Sequence, residues 1–548
     1  MIFAHLIGPN PDETEKNSNL NSIRSGQVTM RTETRETVRV MEQLQGSDAS
    51  FVAFETPSTP MHIGSILIYD PSTAPGGFVR FKDILAFMRS RLQLSKTMRR
   101  RLVRTPFNID YPYWVEDANF DLEYHVRHVA LPKPGDWRQL YIQASRIFAR
   151  PLDLSRPPWE ITVVEGLDNV EGIPKGSFAM LTKVHHAAVD GASGVDLLEA
   201  LHTTTPQPEP LTTPDTWKPD KFPNYVGMFA KGYARAWVNP IRRLSVSAQS
   251  VPGVYRMARG MVRGDFGMKA ALQAPKTAFN GKVSPHRVID GRVFELKHIK
   301  AMRALSEGAK VNDVMLSIIG GALNKYLEAK GELPEKSLTA AVPISVRTTD
   351  EKNAMGNQVA AMVAPIGTHI SDPVERMVFV HEQTQRSKAM TNAMGARQMS
   401  ELSKTSPALF MALGAQMFSR FSLADITRPV INTAVTNVPG PPVPLYSCGA
   451  KLVSMQGMIC LFDGFGLAHV VQSYIDEATI SFTACRDAMP DPEFYAQCIQ
   501  QSFEEMANAA GIDLAQPKPS MPKAQVRRKS AARGGNSRIE TSAKRSPA

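Results

Sequence analysis

Residues 185–191 read HHAAVDG: two adjacent imidazoles, then a carboxylate and a glycine. Histidine has the side chain whose unperturbed pKa lies nearest neutral pH, which makes it a common proton acceptor for a reacting hydroxyl. Neighbouring residues on a strand face opposite ways, so one of the pair can be buried while the other meets a cleft. That alternation also makes the pair a poor bidentate metal ligand. No H-E-x-x-H, cysteine cluster or third histidine lies near it in the sequence, and no metal is expected. Two readings stay open. In one, the pair is a structural strand end with one core and one exposed imidazole. In the other, one imidazole is a general base, and the aspartate, in a turn closed by glycine, braces the loop. The chain has no G-x-S-x-G elbow, Walker loop or G-x-G-x-x-G run. The chemistry expected of an enzyme here is therefore direct attack by a bound hydroxyl, with no covalent intermediate on the protein.

The pair needs a strand to hold it, and SFAMLTKVHH (177–186) supplies one, with a helix expected over VDLLEALHTT (195–204). HIGSILIYD (62–70) and the alternating FDLEYHVRHVAL (120–131) read as strands, and FKDILAFMRSRLQL (81–94) as a helix. TPQPEPLTTPDTWKPDKFP (205–223) has no periodicity and reads as a crossover linker. Basic helices follow, in which Arg256, Arg259 and Arg263 share a face. That face suits phosphates or an anionic surface, or is simply solvated. Strand and helix patterns resume: a strand and helix over RVFELKHIKAM, a strongly apolar helix from 311, then strands at SLTAAVPISVR, NQVAAMVAPIG and INTAVTNVPGPP. The pattern predicts a polar extension over 1–40, an α/β region over 41–204, a linker with basic helices over 205–284, a second α/β region over 285–514, and a disordered basic tail over 515–548.

A chain of 548 residues, 43% hydrophobic and 21% charged, has the balance of a soluble globular protein with more than one core. Of its net charge of +11, the segment from Gln516 onward carries +8, so the basic pI says little about the folded body. Composition alone does not make the tail a nucleic-acid site, and no nucleic acid is expected. Cys448, Cys460, Cys485 and Cys498 form no C-x-x-C pair, which fits a reducing compartment. No apolar run reaches the ~18 residues needed to span a bilayer, and MIFAHLIGPNPDETE lacks a basic leader pattern. A cytoplasmic protein is expected, with peripheral contact to the inner membrane or lipid inclusions as one reading. The apolar PALFMALGAQMF (407–418) suits either such a surface or the core.

HHAAVDG matches the HHxxxDG motif of the CoA-dependent acyltransferase superfamily, which includes chloramphenicol acetyltransferases, carnitine acyltransferases and peptide-synthetase condensation domains. Seven further stretches narrow the match. TPSTPMHIGSILIYD (56–70), FDLEYHVRHVALPKPGD (120–136), PLDLSRPPWE (151–160), VNDVMLSIIGGALNKYL (311–327), VPISVR (342–347), MGNQVAAMVAPI (355–366) and TNVPGPPVPLY (436–446) resemble, in order, stretches of bacterial wax ester synthase/diacylglycerol acyltransferases. The resemblance covers about 41–514. It implies two chloramphenicol-acetyltransferase-like lobes of mixed sheet and helices with an active-site tunnel between them. It also implies acyl transfer from acyl-CoA to diacylglycerol or a long-chain alcohol, with no cofactor because acyl-CoA is a substrate. By the same resemblance His186 is the general base, with His185, Asp190 and Gly191 supporting the motif, and Asn312 and Asp313 support the lobe interface. Two departures stand out. Pro158 replaces the leucine of the PLW core, which bears on acyl-chain preference, and FDGFGL (462–467) only loosely echoes the superfamily's DFGWG. Two alternatives remain: a condensation-type enzyme using a different acceptor or a carrier-bound thioester, and a lipid-inclusion coat protein.

Overall fold

The computed structural model describes residues 42–44, 46–108, 110–189, 197–207, 217, 219, 224–234, 274–345, 359–393, 420, 422–426 and 429–514. The polar extension, the face bearing Arg256, Arg259 and Arg263, the segment 407–418 and the basic tail lie outside them. The described residues up to Ile512 belong to one compact unit.

Two six-stranded sheets organise it. In the first half of the chain the elements are helix α1 (Gly46–Phe54), strand β1 (His62–Asp70), helix α2 (Phe81–Arg89), a small hairpin of β2 (Arg100–Val103) and β3 (Tyr113–Glu116), β4 (Val126–Ala130), helix α3 (Trp137–Phe148), β5 (Trp159–Glu165) and β6 (Phe178–His185). In the second half they are β7 (Arg287–Glu295), helix α4 (Val311–Lys330), β8 (Thr339–Ser345), β9 (Val359–Pro365), helix α5 (Pro373–Ala393), β10 (Thr433–Pro439), β11 (Tyr446–Ser447), β12 (Ala450–Met458), β13 (Leu467–Tyr474), β14 (Glu477–Cys485) and helix α6 (Pro492–Ala509). The sheet orders are β11-β12-β1-β6-β5-β4 and β7-β14-β13-β10-β8-β9, and both mix parallel and antiparallel pairs. The α/β class expected from the alternating patterns is the class observed.

Strands β11 and β12 come from the second half of the chain yet complete the first sheet, with β12 antiparallel to β1 from Gly64↔Met458 to Asp70↔Lys451. The first sheet is thus not built from 41–204 alone. One local expectation fails. FDLEYHVRHVAL begins not as a strand but as a helical turn over Leu122–His125, because the Asp121 carboxylate accepts the Glu123 N–H at 3.0 Å and starts a turn before β4.

Close backbone approach places the motif strand. A Cβ on Gly64 of β1 would sit 2.2 Å from the carbonyl oxygen of Thr182 on β6, so only glycine lets these two strands meet there. Apolar residues then fill both faces of the sheet. Leu67, Trp159, Met180 and Val184 lie in one cluster, and Ile66, Leu140, Val164 and Leu181 in another against α3.

Candidate active site

Strand β6 ends at His185, and a tight turn over His186–Ala188 follows. Three backbone bonds fix this junction. His185 N donates to Pro158 O at 2.9 Å, His186 N to Met61 O at 2.8 Å, and Val189 N to His186 O at 3.3 Å. Both flanking strands therefore hold the pair, β5 through the residue before it and β1 through the residue before it.

The two imidazoles part company as the strand alternation requires. His185 is fully buried, and its Nδ1 accepts the Ala187 N–H at 3.1 Å. A ring nitrogen that accepts carries no proton, so the neutral His185 ring holds its proton on Nε2. That nitrogen faces Glu55 Oε2 at 3.6 Å. His186 is only half-buried, and its ring stacks on Phe51 with centroids 3.8 Å apart and planes within 10°. Its Nδ1 is buried with no hydrogen-bond partner. Burial disfavours the imidazolium and pulls the pKa of His186 down to about 4; the residue's own backbone carbonyl, which favours the protonated ring, acts the other way, and neighbouring His185 lowers it further.

Behind the pair, side chains of β1 and β6 cap the carboxyl end of α3. His62, paired with His185 in register, bonds Phe148 O through Nε2 at 2.5 Å. Lys183 Nζ donates to Ile147 O at 3.1 Å and Arg150 O at 3.0 Å, and lies 3.8 Å from Glu160. Burial pushes the Lys183 ammonium down to about 8, against the pull of Glu160. Cations at a helix carboxyl end meet its unpaired carbonyls, so this group anchors α3 to the sheet that carries the motif.

Asp190 and Gly191 lie outside the described residues. Asn312 and Asp313 are placed, and the side-chain partners given for them lie in the second half of the chain. Asp313 is fully buried at the start of α4. It accepts from Lys310 N at 2.9 Å and Thr384 Oγ1 at 2.8 Å and lies 3.0 Å from His381 Nδ1. Asn312 Oδ1 accepts from Asn437 Nδ2 at 3.5 Å. All of these partners fall within 285–514. The pair supports packing among α4, α5 and β10 because Asp313 caps one helix and accepts from the next.

Sequence reasoning missed Phe51 and Glu55. They lie more than a hundred residues before the motif, and nothing in their types or spacing marks them. A cleft of about 700 Å³ lies among α3, the start of β7 and residues 486–497, with Arg138, Tyr141, Arg287 and Asp290 in its wall. Neither motif histidine lines it. Among the described residues, no three His, Cys, Asp or Glu side chains gather as a metal site would need.

The family described as the wax ester synthase/diacylglycerol acyltransferase catalytic domain matches residues 44–315, and the WS/DGAT C-terminal domain matches residues 355–507. The chain belongs to the wax ester synthase/diacylglycerol acyltransferase family. It is an acyltransferase of that family, and the motif strand β6 lies within the part matched as catalytic. A Mycobacterium tuberculosis protein provisionally named a diacylglycerol O-acyltransferase is 34% identical over 483 residues, which cover 86% of this chain and all of that one. A second protein from that organism, named in the same way, is 31% identical over 472 residues, 85% of this chain and 90% of its own. The wax ester synthase/diacylglycerol acyltransferase of Marinobacter aquaeolei VT8 shares the fold, with a TM-score of 0.60 and 24% identity over 86% of this chain and 100% of that one. The first condensation domain of the CDA synthetase also shares it, with a TM-score of 0.51 and 13% identity over 86% of this chain and 96% of that one.

Pro158 meets the motif through its carbonyl, which proline keeps as an acceptor for the His185 N–H.

Proposed function

We propose that this acyltransferase moves a fatty acyl group from acyl-CoA to the hydroxyl of diacylglycerol, of a long-chain alcohol, or of both, with His186 as the general base. The observation that carries the reading is the contrast within the pair. His185 is fully buried, with Nδ1 bonded to the Ala187 N–H, whereas His186 stands half-buried at the strand end with a ring that burial keeps neutral. A neutral imidazole is the form that accepts a proton.

In this mechanism His186 takes the hydroxyl proton as the oxygen bonds to the thioester carbonyl carbon. The carbonyl becomes a tetrahedral oxyanion. It collapses with cleavage of the C–S bond, and the imidazolium returns the proton to the departing thiolate. The oxyanion's charge stabilises the imidazolium while both exist, which offsets the low proton affinity of the resting ring. A positioned base supplies on the order of 10²- to 10⁴-fold. As written, the reaction needs no resident cofactor.

The acceptors are nearly insoluble, so the reading includes peripheral contact with a membrane or lipid inclusion. No described helix is long and apolar enough to cross a membrane. The helical segment 224–234 leaves Val226 76% exposed, with Tyr225, Phe229 and Tyr233 exposed beside it, and Phe107, 86% exposed, meets Phe229 edge-on. Aromatic rings of this kind settle at lipid–water interfaces.

The deciding assay incubates purified protein and its His186→Ala variant with labelled palmitoyl-CoA and either hexadecanol or dipalmitoylglycerol. Product with the parent and none with the variant supports the reading, and the two acceptors side by side fix the preference. Full activity in His186→Ala removes the base.

A further inference from the structure

A single segment, outside the motif, touches both histidines. Phe51 lies in α1 and Glu55 directly follows it, four residues on and so on the same side. The Phe51 ring covers His186 at 3.8 Å. Glu55 Oε2 faces His185 Nε2 at 3.6 Å, and Glu55 Oε1 accepts from Met61 N at 3.4 Å. Met61 O is in turn the acceptor for His186 N, at 2.8 Å. The segment 51–55 thus reaches the pair by ring contact, by charge and through the backbone.

We infer that Phe51 and Glu55 are positioning residues for the motif pair, Phe51 fixing the plane and hydration of the His186 ring and Glu55 fixing the orientation and tautomer of His185. The inference rests on the reading of His186 as the base.

The physics differs for the two residues. A phenyl ring in face-to-face contact leaves no room for water on that side of the imidazole, and it restricts rotation of the ring about its last bond. Water admitted there hydrates the imidazolium better than the neutral ring, so losing the phenyl raises the proton affinity of His186. Glu55 works one step away. Its carboxylate faces the nitrogen that must carry the His185 proton if Nδ1 is to go on accepting from Ala187 N. Without it the ring can change tautomer, Ala187 N loses its acceptor, and the turn that aims His186 loosens.

Among the described residues, the titratable and charged groups around the pair include Asp48 of α1, Glu55, His62 of β1, Arg100 and Arg101 of β2, Lys183 of β6 with Glu160 of β5 beside it, and Arg287 of β7, which acts on His62. Substitutions of Phe51 leave all of them in place, so a change in the pH profile reports the ring itself.

The test measures kcat, KM and the pH dependence of kcat/KM with palmitoyl-CoA and dipalmitoylglycerol for the full chain. The variants are Phe51→Ala, Phe51→Leu, Phe51→Tyr, Glu55→Ala, Glu55→Gln and His186→Ala. Phe51→Ala is expected to lower kcat by about 10- to 100-fold with KM little changed, as misplacement of a reacting group does. It also moves the acid limb up from near pH 4 towards the free-imidazole value of about 6.5. Phe51→Leu, which keeps apolar bulk but no ring, shows the same upward shift in smaller degree. Phe51→Tyr keeps the limb of the parent. Glu55→Ala lowers kcat, and Glu55→Gln, which retains an acceptor oxygen, recovers most of it. An inactive His186→Ala beside a Phe51→Ala variant with the parent's kcat and limb overturns the inference and spares the base. So does a Phe51→Ala variant whose activity falls only in step with its melting temperature, its limb unmoved. An active His186→Ala overturns the base reading instead, and this inference with it.

Discussion

His186 at the end of β6 and His469 in the middle of β13 hold imidazoles in opposite ways. His469 is fully buried. Its Nδ1 lies 3.0 Å from Thr433 Oγ1 and its Nε2 2.7 Å from Tyr495 OH, so both ring nitrogens are used. His186 is half-buried, stacks on a ring instead of bonding to one, and leaves Nδ1 without a partner. Burial is the first cause of a lowered pKa in both, to about 3 for His469 and about 4 for His186. A lowered pKa therefore does not mark the reactive site by itself. The two rings differ in whether the protein bonds both nitrogens and in whether the ring is fully buried.

The largest effect that would break this comparison is on rate. His186→Ala is expected to cost on the order of 10²- to 10⁴-fold in kcat with both acceptors, while the melting temperature stays within a few degrees of the parent. Steady-state kinetics and a thermal melt on one preparation check both halves. A variant that melts early and keeps its specific activity would make His186 the structural residue.

His469→Ala should give the reverse. It strands the Tyr495 hydroxyl in the core and opens a cavity, so it should cost roughly 2–4 kcal/mol of stability. The folded fraction should keep near-parental kcat per folded molecule. Denaturant titration followed by activity at low denaturant separates the two. His185→Ala should fall between them, losing stability because the ring is buried and losing some rate because the turn after it loosens.

A smaller effect appears in pH dependence. His62, His186, His202 and His469 all have folded pKa values below the ordinary histidine value, burial being the leading cause in each. An unfolded chain binds those protons first as pH falls. The stability they contribute is therefore present above about pH 6.5 and is lost as pH drops through the lowered folded values, about 4 for His186 and His202 and about 3 for His469. Each group contributes a slope of up to about 1.4 kcal/mol per pH unit in that window. Denaturant melts from pH 7 to pH 4 should show the decline. His469→Ala and His186→Ala should each flatten it, but only His186→Ala should also remove the catalytic acid limb. A stability that rises on acidification would reverse the sign and refute the account of both rings.

The smallest effect expected is none. Incubation with EDTA should leave kcat unchanged, and added zinc should not raise it. Activity lost to the chelator and restored by zinc would make the histidine pair a ligand set and end the comparison.

The candidate site was partly legible. The alternation in SFAMLTKVHH placed the motif on a strand, and β6 ends at His185. The same period-two argument required the two rings to part, and they do. Asp313 was legible as a residue but not in its role, because a carboxylate three residues into a helix can cap that helix or reach another, and only packing decides. Phe51 and Glu55 gave no signal of their own, since an aromatic on a helix and an acid just past its end are ordinary anywhere.

What the sequence determined by itself are the quantities set by neighbours along the chain: β1 over His62–Asp70, the apolar α4, the end of β6 and the family pattern. The tertiary structure decided what is set by neighbours in space. Strand β12 pairs with β1 across nearly four hundred residues of chain, and no period in either strand names its partner. The ring over His186 arrives in the same way, from a helix far upstream. Hydrogen-bond ladders and ring contacts are formed by distance in space, and that distance is fixed only when the whole core closes.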